Sequence, residues 1–141
     1  MPTVLVTGGA GYIGSTTALH LRSLGWRVLC FDDLSTGHAD LAALSDEHLA
    51  ADLLDAGSIG QALRREPVDG VVHCAARSLV PESVRDPLRY YGDNIGGAVS
   101  LLRACRDAGG VPVVFSSSAA VYGEPDRVPI REQDPTAPIN P

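Results

Sequence analysis

A group of closely spaced glycines near the amino terminus is the first feature of the sequence that could take part in chemistry. Gly9, Gly11 and Gly14 form the pattern G-x-G-x-x-G, and Gly8, Gly11 and Gly14 form the overlapping pattern G-x-x-G-x-x-G. An apolar run, 3–7, precedes the glycines and a helical pattern follows them. Glycines in this setting allow a tight turn and a close approach of the backbone to a pyrophosphate, which the positive end of the helix dipole also favours. The pattern predicts a dinucleotide-binding turn, with a purely structural tight turn as the alternative.

Acidic residues follow the next two apolar runs. Asp32 ends the second run 18 residues beyond Gly14, close to the roughly 20 at which a carboxylate binds the adenosine ribose hydroxyls of a dinucleotide. Asp33 adds a second negative charge, although it could equally be a solvated loop residue. Two carboxylates would repel a 2′-phosphate, and the nearest arginine, Arg27, lies upstream, so the sequence favours NAD over NADP. Asp52 could reach the adenine edge or could cap a helix.

Polar residues also follow the two later apolar runs. Ser116, Ser117 and Ser118 stand after one of them, and the segment 74–78 stands after the other. In open α/β sheets, ligands bind outside the carboxyl ends of the strands, so both segments are candidates for a binding site. The three serines could also be no more than a polar exit from a strand.

The elements that must position these residues alternate between short apolar runs and helical stretches. Expected strands are 3–7, 27–31, 48–51, 68–73 and 113–116, and expected helices are 12–24, 41–44, 57–65 and 87–108. This alternation predicts a parallel sheet with right-handed crossovers. We expect a doubly wound (Rossmann) α/β fold with strand order 3-2-1-4-5, incomplete at its carboxyl-terminal end, in which residues 1–141 form one NAD-binding domain.

The composition excludes several classes of protein. Hydrophobic residues make up 45% and charged residues 20%, which indicates a globular chain rather than a disordered one. A net charge of −6 argues against nucleic-acid binding. No apolar run reaches the roughly 20 residues of a membrane span, and we expect a cytoplasmic protein without a membrane partner. Three widely spaced cysteines and four scattered histidines show no ligand spacing, so no metal site is expected.

Four sequence blocks occur in order along nearly the whole chain, TGGAGYIGST, FDDLSTGH, VVHCAARSLVPESVRDPLRYYGDNIGG and VFSSSAAVYG. Together they resemble the UDP-glucose 4-epimerases of the NAD-dependent epimerase/dehydratase family, which are extended short-chain dehydrogenases. Pro81-Glu82 departs from the Gly-Glu that is usual in the third block.

The resemblance implies NAD as the cofactor and assigns its contacts to the glycine turn, to the loops after the second, third and fourth strands, and to one helical asparagine. The implied cofactor-binding residues are Gly8, Gly11, Tyr12, Ile13, Gly14, Asp32, Asp33, Leu34, Ser35, Thr36, Gly37, Asp52, Leu53, Cys74, Ala75, Ala76, Arg77, Ser78 and Asn94. Tyr12 and Ile13 would lie along the pyrophosphate, and Ser118 matches the catalytic serine of the family.

The same resemblance implies an isomerase of galactose metabolism. It would interconvert UDP-glucose and UDP-galactose by removing a hydride from sugar C4 and returning it through a 4-keto intermediate. The related dehydratases place an Asp-Glu pair where this sequence has Ala119-Ala120, which favours epimerisation over dehydration. The partners implied are a UDP-sugar and, in a full-length protein, a second copy in a homodimer.

One catalytic motif of the family is missing. A Tyr-x-x-x-Lys pair should follow Pro141, and the sequence contains no lysine at all. The lysine charge lowers the pKa of the tyrosine, which then takes the proton of the C4 hydroxyl. We therefore expect a fragment or a natural truncation that lacks the substrate domain and is inactive by itself. The alternatives are a non-catalytic NAD-binding remnant and another nucleotide-sugar epimerase or dehydratase.

Overall fold

Five parallel strands form one sheet in the order β3-β2-β1-β4-β5, as predicted. The computed structural model describes all residues, 1–141. The strands are β1 Thr3–Thr7, β2 Arg27–Phe31, β3 Glu47–Leu49, β4 Gly70–His73 and β5 Val113–Phe115. The helices are α1 Tyr12–Ser23, α2 Ala39–Ala42, α3 Ala56–Arg65, α4 Val80–Arg85, α5 Pro87–Tyr90 and α6 Gly96–Asp107. A π-helical turn, Tyr91–Ile95, joins α5 to α6, and a 3₁₀ turn, Ala119–Tyr122, follows β5.

Both faces of the sheet are packed around β1, all five residues of which are buried. Leu5 belongs to a large cluster with residues of α3 and α6, such as Ile59 and Leu101. Val4 and Val6 point to the other face and pack with Ala18 of α1. Successive side chains of a strand alternate between faces, so a short run of apolar residues supplies two cores at once. This packing fixes the carboxyl ends of β1, β2 and β4 next to one another.

The expected element boundaries are correct to within about two residues, with two exceptions. The segment 80–85, expected as a loop, forms α4. Asp86 follows it and caps α5, because its carboxylate accepts from the Arg89 backbone N–H at 3.3 Å. The single long helix expected over 87–108 is interrupted by the π-turn. A π-turn has no distinctive residue pattern, because it is one extra residue accommodated by tertiary contacts.

The β5 edge of the sheet is open. Val114 is 66% exposed and Phe115 is 62% exposed, whereas the matching residues of β1 are buried. Beyond β5 the chain folds back on itself, since the Ala137 N–H donates to the Val121 carbonyl oxygen at 2.9 Å and Arg127 pairs with Asp134. None of the helices combines the length and the apolar character that a membrane crossing would need.

Candidate functional site

A cleft opens at the carboxyl ends of β1, β2 and β4, at the edge of the sheet where the sequence predicts ligand binding. It is bounded by the glycine turn, the loop after β2, the residues after β3, the loop after β4 and the π-turn. The lining residues are Gly8, Gly11, Phe31, Asp32, Asp33, Ser35, Thr36, Gly37, Ala51, Asp52, Leu53, Cys74, Ala75, Ala76, Arg77, Asp93 and Asn94.

The glycine turn owes its shape to backbone contacts that exclude side chains. Gly8 has φ +69°, and a Cβ there would lie 2.6 Å from the Ala75 nitrogen. A Cβ on Gly14 would lie 2.7 Å from the Gly8 carbonyl carbon. Gly11 caps α1 without a side-chain hydrogen bond, and the first turn carries no acidic residue. The amides that begin α1 are therefore left for an anion, which fits the pyrophosphate of a dinucleotide.

Asp32 is held rigidly at the end of β2. Its Oδ2 accepts from the Ala10 N–H at 3.0 Å and its Oδ1 accepts from the Leu34 N–H at 2.9 Å. Each oxygen keeps a further lone pair for a ligand hydroxyl. A Cβ on Gly37 would lie only 2.7 Å from Asp32 Oδ1, so glycine leaves this side of the carboxylate open.

Asp33 lines the cleft and also shapes its own loop. Its Oδ1 accepts from the Ser35 N–H at 2.9 Å and from the Ser35 hydroxyl at 2.7 Å. Arg27 lies away from this loop, because its guanidinium is bonded to Glu66 and Glu47, each at 2.9 Å. The cleft therefore presents two carboxylates and no adjacent arginine where a 2′-phosphate would sit.

Asp52 and Leu53 form the wall beyond β3. Asp52 Oδ1 accepts from the Leu54 N–H at 2.9 Å. The cap of α3 is Asp55, which accepts from the Gly57 and Ser58 amides, and its pKa is lowered chiefly by the Ser58 hydroxyl. Asp52 is thus not a helix cap and remains available to the cleft.

The loop after β4 is tied to the π-turn. Asn94 Oδ1 accepts from the Arg77 N–H at 2.8 Å, and Asn94 Nδ2 donates to the Arg77 carbonyl oxygen at 3.1 Å. The Arg77 guanidinium donates from Nε to the Asp93 carboxylate. Cys74 also lines the cleft, where burial raises the pKa of its thiol and so keeps it protonated.

Several predicted residues lie outside the cleft. Tyr12 and Ile13 are exposed on the first turn of α1, and Gly14, Leu34 and Ser78 are likewise not among the lining residues. Ser118 is exposed, and its hydroxyl oxygen accepts from the Ala120 N–H at 3.1 Å. It follows β5 at the same edge of the sheet, since the Ser116 N–H donates to the His73 carbonyl oxygen at 3.0 Å.

Sequence reasoning missed three lining residues, Phe31, Ala51 and Asp93. Phe31 and Ala51 directly precede predicted site residues, so their positions at strand ends could have indicated them. Asp93 precedes Asn94 in what reads as an ordinary helix, where consecutive side chains point about 100° apart. No local signal indicates that both face the same cleft.

Comparison with known proteins agrees with this geometry. Residues 4–141 match the model of the NAD dependent epimerase/dehydratase family. The UDP-glucose 4-epimerase of Lacticaseibacillus casei is 46% identical over 139 residues, which are 99% of this chain and 42% of that protein. The chain thus spans well under half the length of such relatives.

Solved structures give the same result. The crystal structure of UDP-glucose 4-epimerase from Brucella ovis in complex with NAD superposes with a TM-score of 0.95 at 43% identity, over 99% of this chain and 43% of that one. The UDP-glucose-4-epimerase from Stenotrophomonas maltophila, solved with bound NAD and formylated UDP-arabinopyranose, gives 0.93 at 37% identity, over 99% and 44%. The resemblance seen in the four sequence blocks is confirmed, and the chain belongs to the NAD-dependent epimerase/dehydratase family, whose cofactor is NAD.

Proposed function

We propose that residues 1–141 are the NAD-binding domain of a nucleotide-sugar epimerase that interconverts UDP-glucose and UDP-galactose. The observation that carries the proposal is the pairing of the uncapped α1 amino terminus with the fixed Asp32 carboxylate across one cleft. A dinucleotide needs both an anion site and a hydroxyl acceptor in this arrangement. The substrate domain and the Tyr-x-x-x-Lys pair of the family lie outside these residues.

Each wall of the cleft has its own task in binding. The amides of Tyr12 and Ile13, next to Gly11 and Gly14, bind the pyrophosphate through the helix dipole. Asp32 accepts hydrogen bonds from the adenosine ribose, with 33–37 wrapped around it. Asp52 and Leu53 contact adenine, and 74–78 together with Asn94 border the nicotinamide half.

Bound NAD supplies the hydride chemistry at sugar C4. Ser118 orients the C4 oxygen and relays its proton. Its place after β5, at the cleft edge of the sheet, supports this role, and the exposed hydroxyl leaves it free to meet a sugar. Ala119 and Ala120 follow it in the 3₁₀ turn and can move no proton, which supports epimerisation over dehydration.

The epimerase is proposed to act as a homodimer. Exposed apolar residues recur at spacings of three and four along α5, the π-turn and α6, which places them on one helical face. They are Leu88, Tyr91, Ile95, Val99 and Leu102. A second copy that presents the same face would cover this stripe.

A second candidate function is a non-catalytic NAD-binding module. Such a module needs only the cleft and the residues that line it. Both candidates require the same cofactor site and differ in turnover.

Cofactor preference tests the site that both candidates share. We expect the isotope-labelled chain to shift its amide resonances around Gly11 and Asp32 on titration with NAD, and to respond far more weakly to NADP, because Asp32 and Asp33 repel a 2′-phosphate. Asp32→Ala should weaken NAD binding by about 1–3 kcal/mol, since the ribose hydroxyls lose their acceptor.

The matched control is Asp107→Asn, which removes a carboxylate at the far end of α6 and should leave NAD binding unchanged. Equal affinities of the wild-type chain for NAD and NADP would remove Asp32 from its assigned role.

A further inference from the structure

Asp93 is a cleft residue to which the proposed cofactor site assigns no role. It forms an ion pair with Arg77, which follows β4 and lies in a loop without regular structure. Its neighbour Asn94 holds both the N–H and the carbonyl oxygen of the same arginine, at 2.8 and 3.1 Å. Asp93 therefore binds the side chain of Arg77, and the adjacent Asn94 binds its backbone.

Both residues that contact Arg77 lie in the π-turn, Tyr91–Ile95. They line the cleft together, although consecutive side chains of a regular α-helix project about 100° apart. Single π-turns inside helices are rare and are frequent at functional sites.

The same helical segment also supports the opposite wall of the cleft. A Cβ on Gly96 would lie 3.2 Å from Leu54 Cδ2, and a Cβ on Gly97 would lie 3.3 Å from Leu53 Cβ. The segment 93–97 thus contacts the loop after β3 on one side and the loop after β4 on the other. It sets the spacing of the two loops between which a dinucleotide must fit.

Arg77 is the one basic residue that lines the cleft, against the four carboxylates of Asp32, Asp33, Asp52 and Asp93. Only its Nε is used in a hydrogen bond within the chain, so both terminal amino groups remain available as donors. Its loop abuts the glycine turn, because a Cβ on Gly8 would lie 2.6 Å from the Ala75 nitrogen. Arg77 lines the same cleft as Gly8 and Gly11 of the glycine turn, and a guanidinium can donate to phosphate oxygens.

We propose that Asp93 is a positioning residue that orients Arg77 so that its free amino groups bind the pyrophosphate of the dinucleotide. The inference rests on the proposed function, since it presumes that NAD occupies this cleft. In this proposal the Arg77 side chain binds the phosphates, while the loop 74–78 borders the nicotinamide half.

The sign of one measurement separates this role from plain electrostatics. Asp93→Asn removes a negative charge from an anion-binding cleft, so charge alone predicts tighter NAD binding. A positioning role predicts the reverse, because the released guanidinium samples many rotamers. We expect the dissociation constant of NAD to rise about tenfold, the size expected for loss of one charge-assisted hydrogen bond.

The experiment is a titration of the labelled chain with NAD and, separately, with adenosine, which lacks phosphates. Asp93→Asn should weaken NAD and leave adenosine unchanged, a split that general destabilisation would not produce. Asp107→Asn again serves as the charge-matched control and should change neither. Unchanged or tighter NAD binding by Asp93→Asn would overturn the inference.

Arg77→Gln provides an independent route if Asp93→Asn does not fold. It should weaken NAD by a similar factor, and unchanged NAD binding by Arg77→Gln would overturn the inference without any Asp93 variant. Where Asp93→Asn folds, the double variant should lose no more than either single variant, since Asp93 acts through Arg77. Additive losses would refute the coupling. A wild-type chain that shows no NAD-dependent shifts would instead refute the cofactor site itself, and this inference with it.

Discussion

The glycine turn after β1 and the serine segment after β5 both lie at the carboxyl edge of the sheet, yet their surroundings differ. The turn is enclosed by backbone contacts from Ala75 and Gly8, and β1 before it is wholly buried. The serine segment follows a strand whose Val114 and Phe115 are more than 60% exposed, and Ser118 itself is exposed. The proposed cofactor half of the site is therefore built against the core, whereas the proposed proton-transfer half is exposed to solvent.

The largest expected effect concerns the exposed region. The 141-residue chain should not convert UDP-galactose when NAD is added, because Ser118 has no base beside it and the sequence contains no lysine. General acid–base assistance accounts for roughly 10²–10⁴-fold in rate. Conversion of the sugar nucleotide, measured against a control without protein, checks this. Clear turnover would mean that the region around Ser118 is a complete site after all.

A smaller effect is expected in the enclosed region. Gly14→Ala places a Cβ 2.7 Å from the Gly8 carbonyl carbon and 2.8 Å from Gly9 Cα, so the turn must shift. We expect a loss of about 1–3 kcal/mol in the free energy of unfolding, as for other overpacked sites, together with weaker NAD binding. Urea denaturation measures the first and titration the second.

Gly70→Ala, at the amino end of β4, is the matched control, because a Cβ there meets no atom closer than 3.7 Å. It should leave both quantities close to those of the wild type. Equal behaviour of the two variants would show that the glycine turn is less constrained than its geometry indicates.

The smallest effect lies beneath the cleft, at His73 of β4. This ring is buried, with Nδ1 2.6 Å from the Thr7 hydroxyl oxygen, and burial lowers its pKa from 6.5. The unfolded chain takes up the proton first as pH falls, so the stabilisation is complete above about pH 6.5 and is lost below it. One group can contribute at most about 1.4 kcal/mol per pH unit.

Urea midpoints between pH 7.5 and 5.5 measure this slope. His73→Leu should flatten it, at a cost in overall stability because the Thr7 hydroxyl loses its partner, whereas His20→Gln on the exposed face of α1 should leave it intact. A wild-type slope that persists in His73→Leu would assign the pH dependence to another group.

Most of the cleft around Asp32 could be predicted from the sequence, and the side around Arg77 only in part. The glycines and Asp32 directly follow the apolar runs of β1 and β2, so the glycine spacing and these two runs identify them. Whether Asp52 faces the cleft or caps a helix could not be decided from the sequence, and only the observed cap of α3, Asp55, decides it. Ser78 and Leu34 were expected in the cleft and lie outside its lining, since adjacent loop residues point in different directions.

The sequence by itself determined the order of strands and helices, the turn that only glycine can form and the acidic residue at the end of β2. These follow from local rules, namely alternation along a strand and the steric cost of a Cβ. Tertiary structure decided the π-turn, the ion pair and hydrogen bonds of Asp93 and Asn94 with Arg77, and the contact of Gly97 with Leu53. Such contacts join residues far apart in the chain, and they depend on how α5, the π-turn and α6 pack against the sheet.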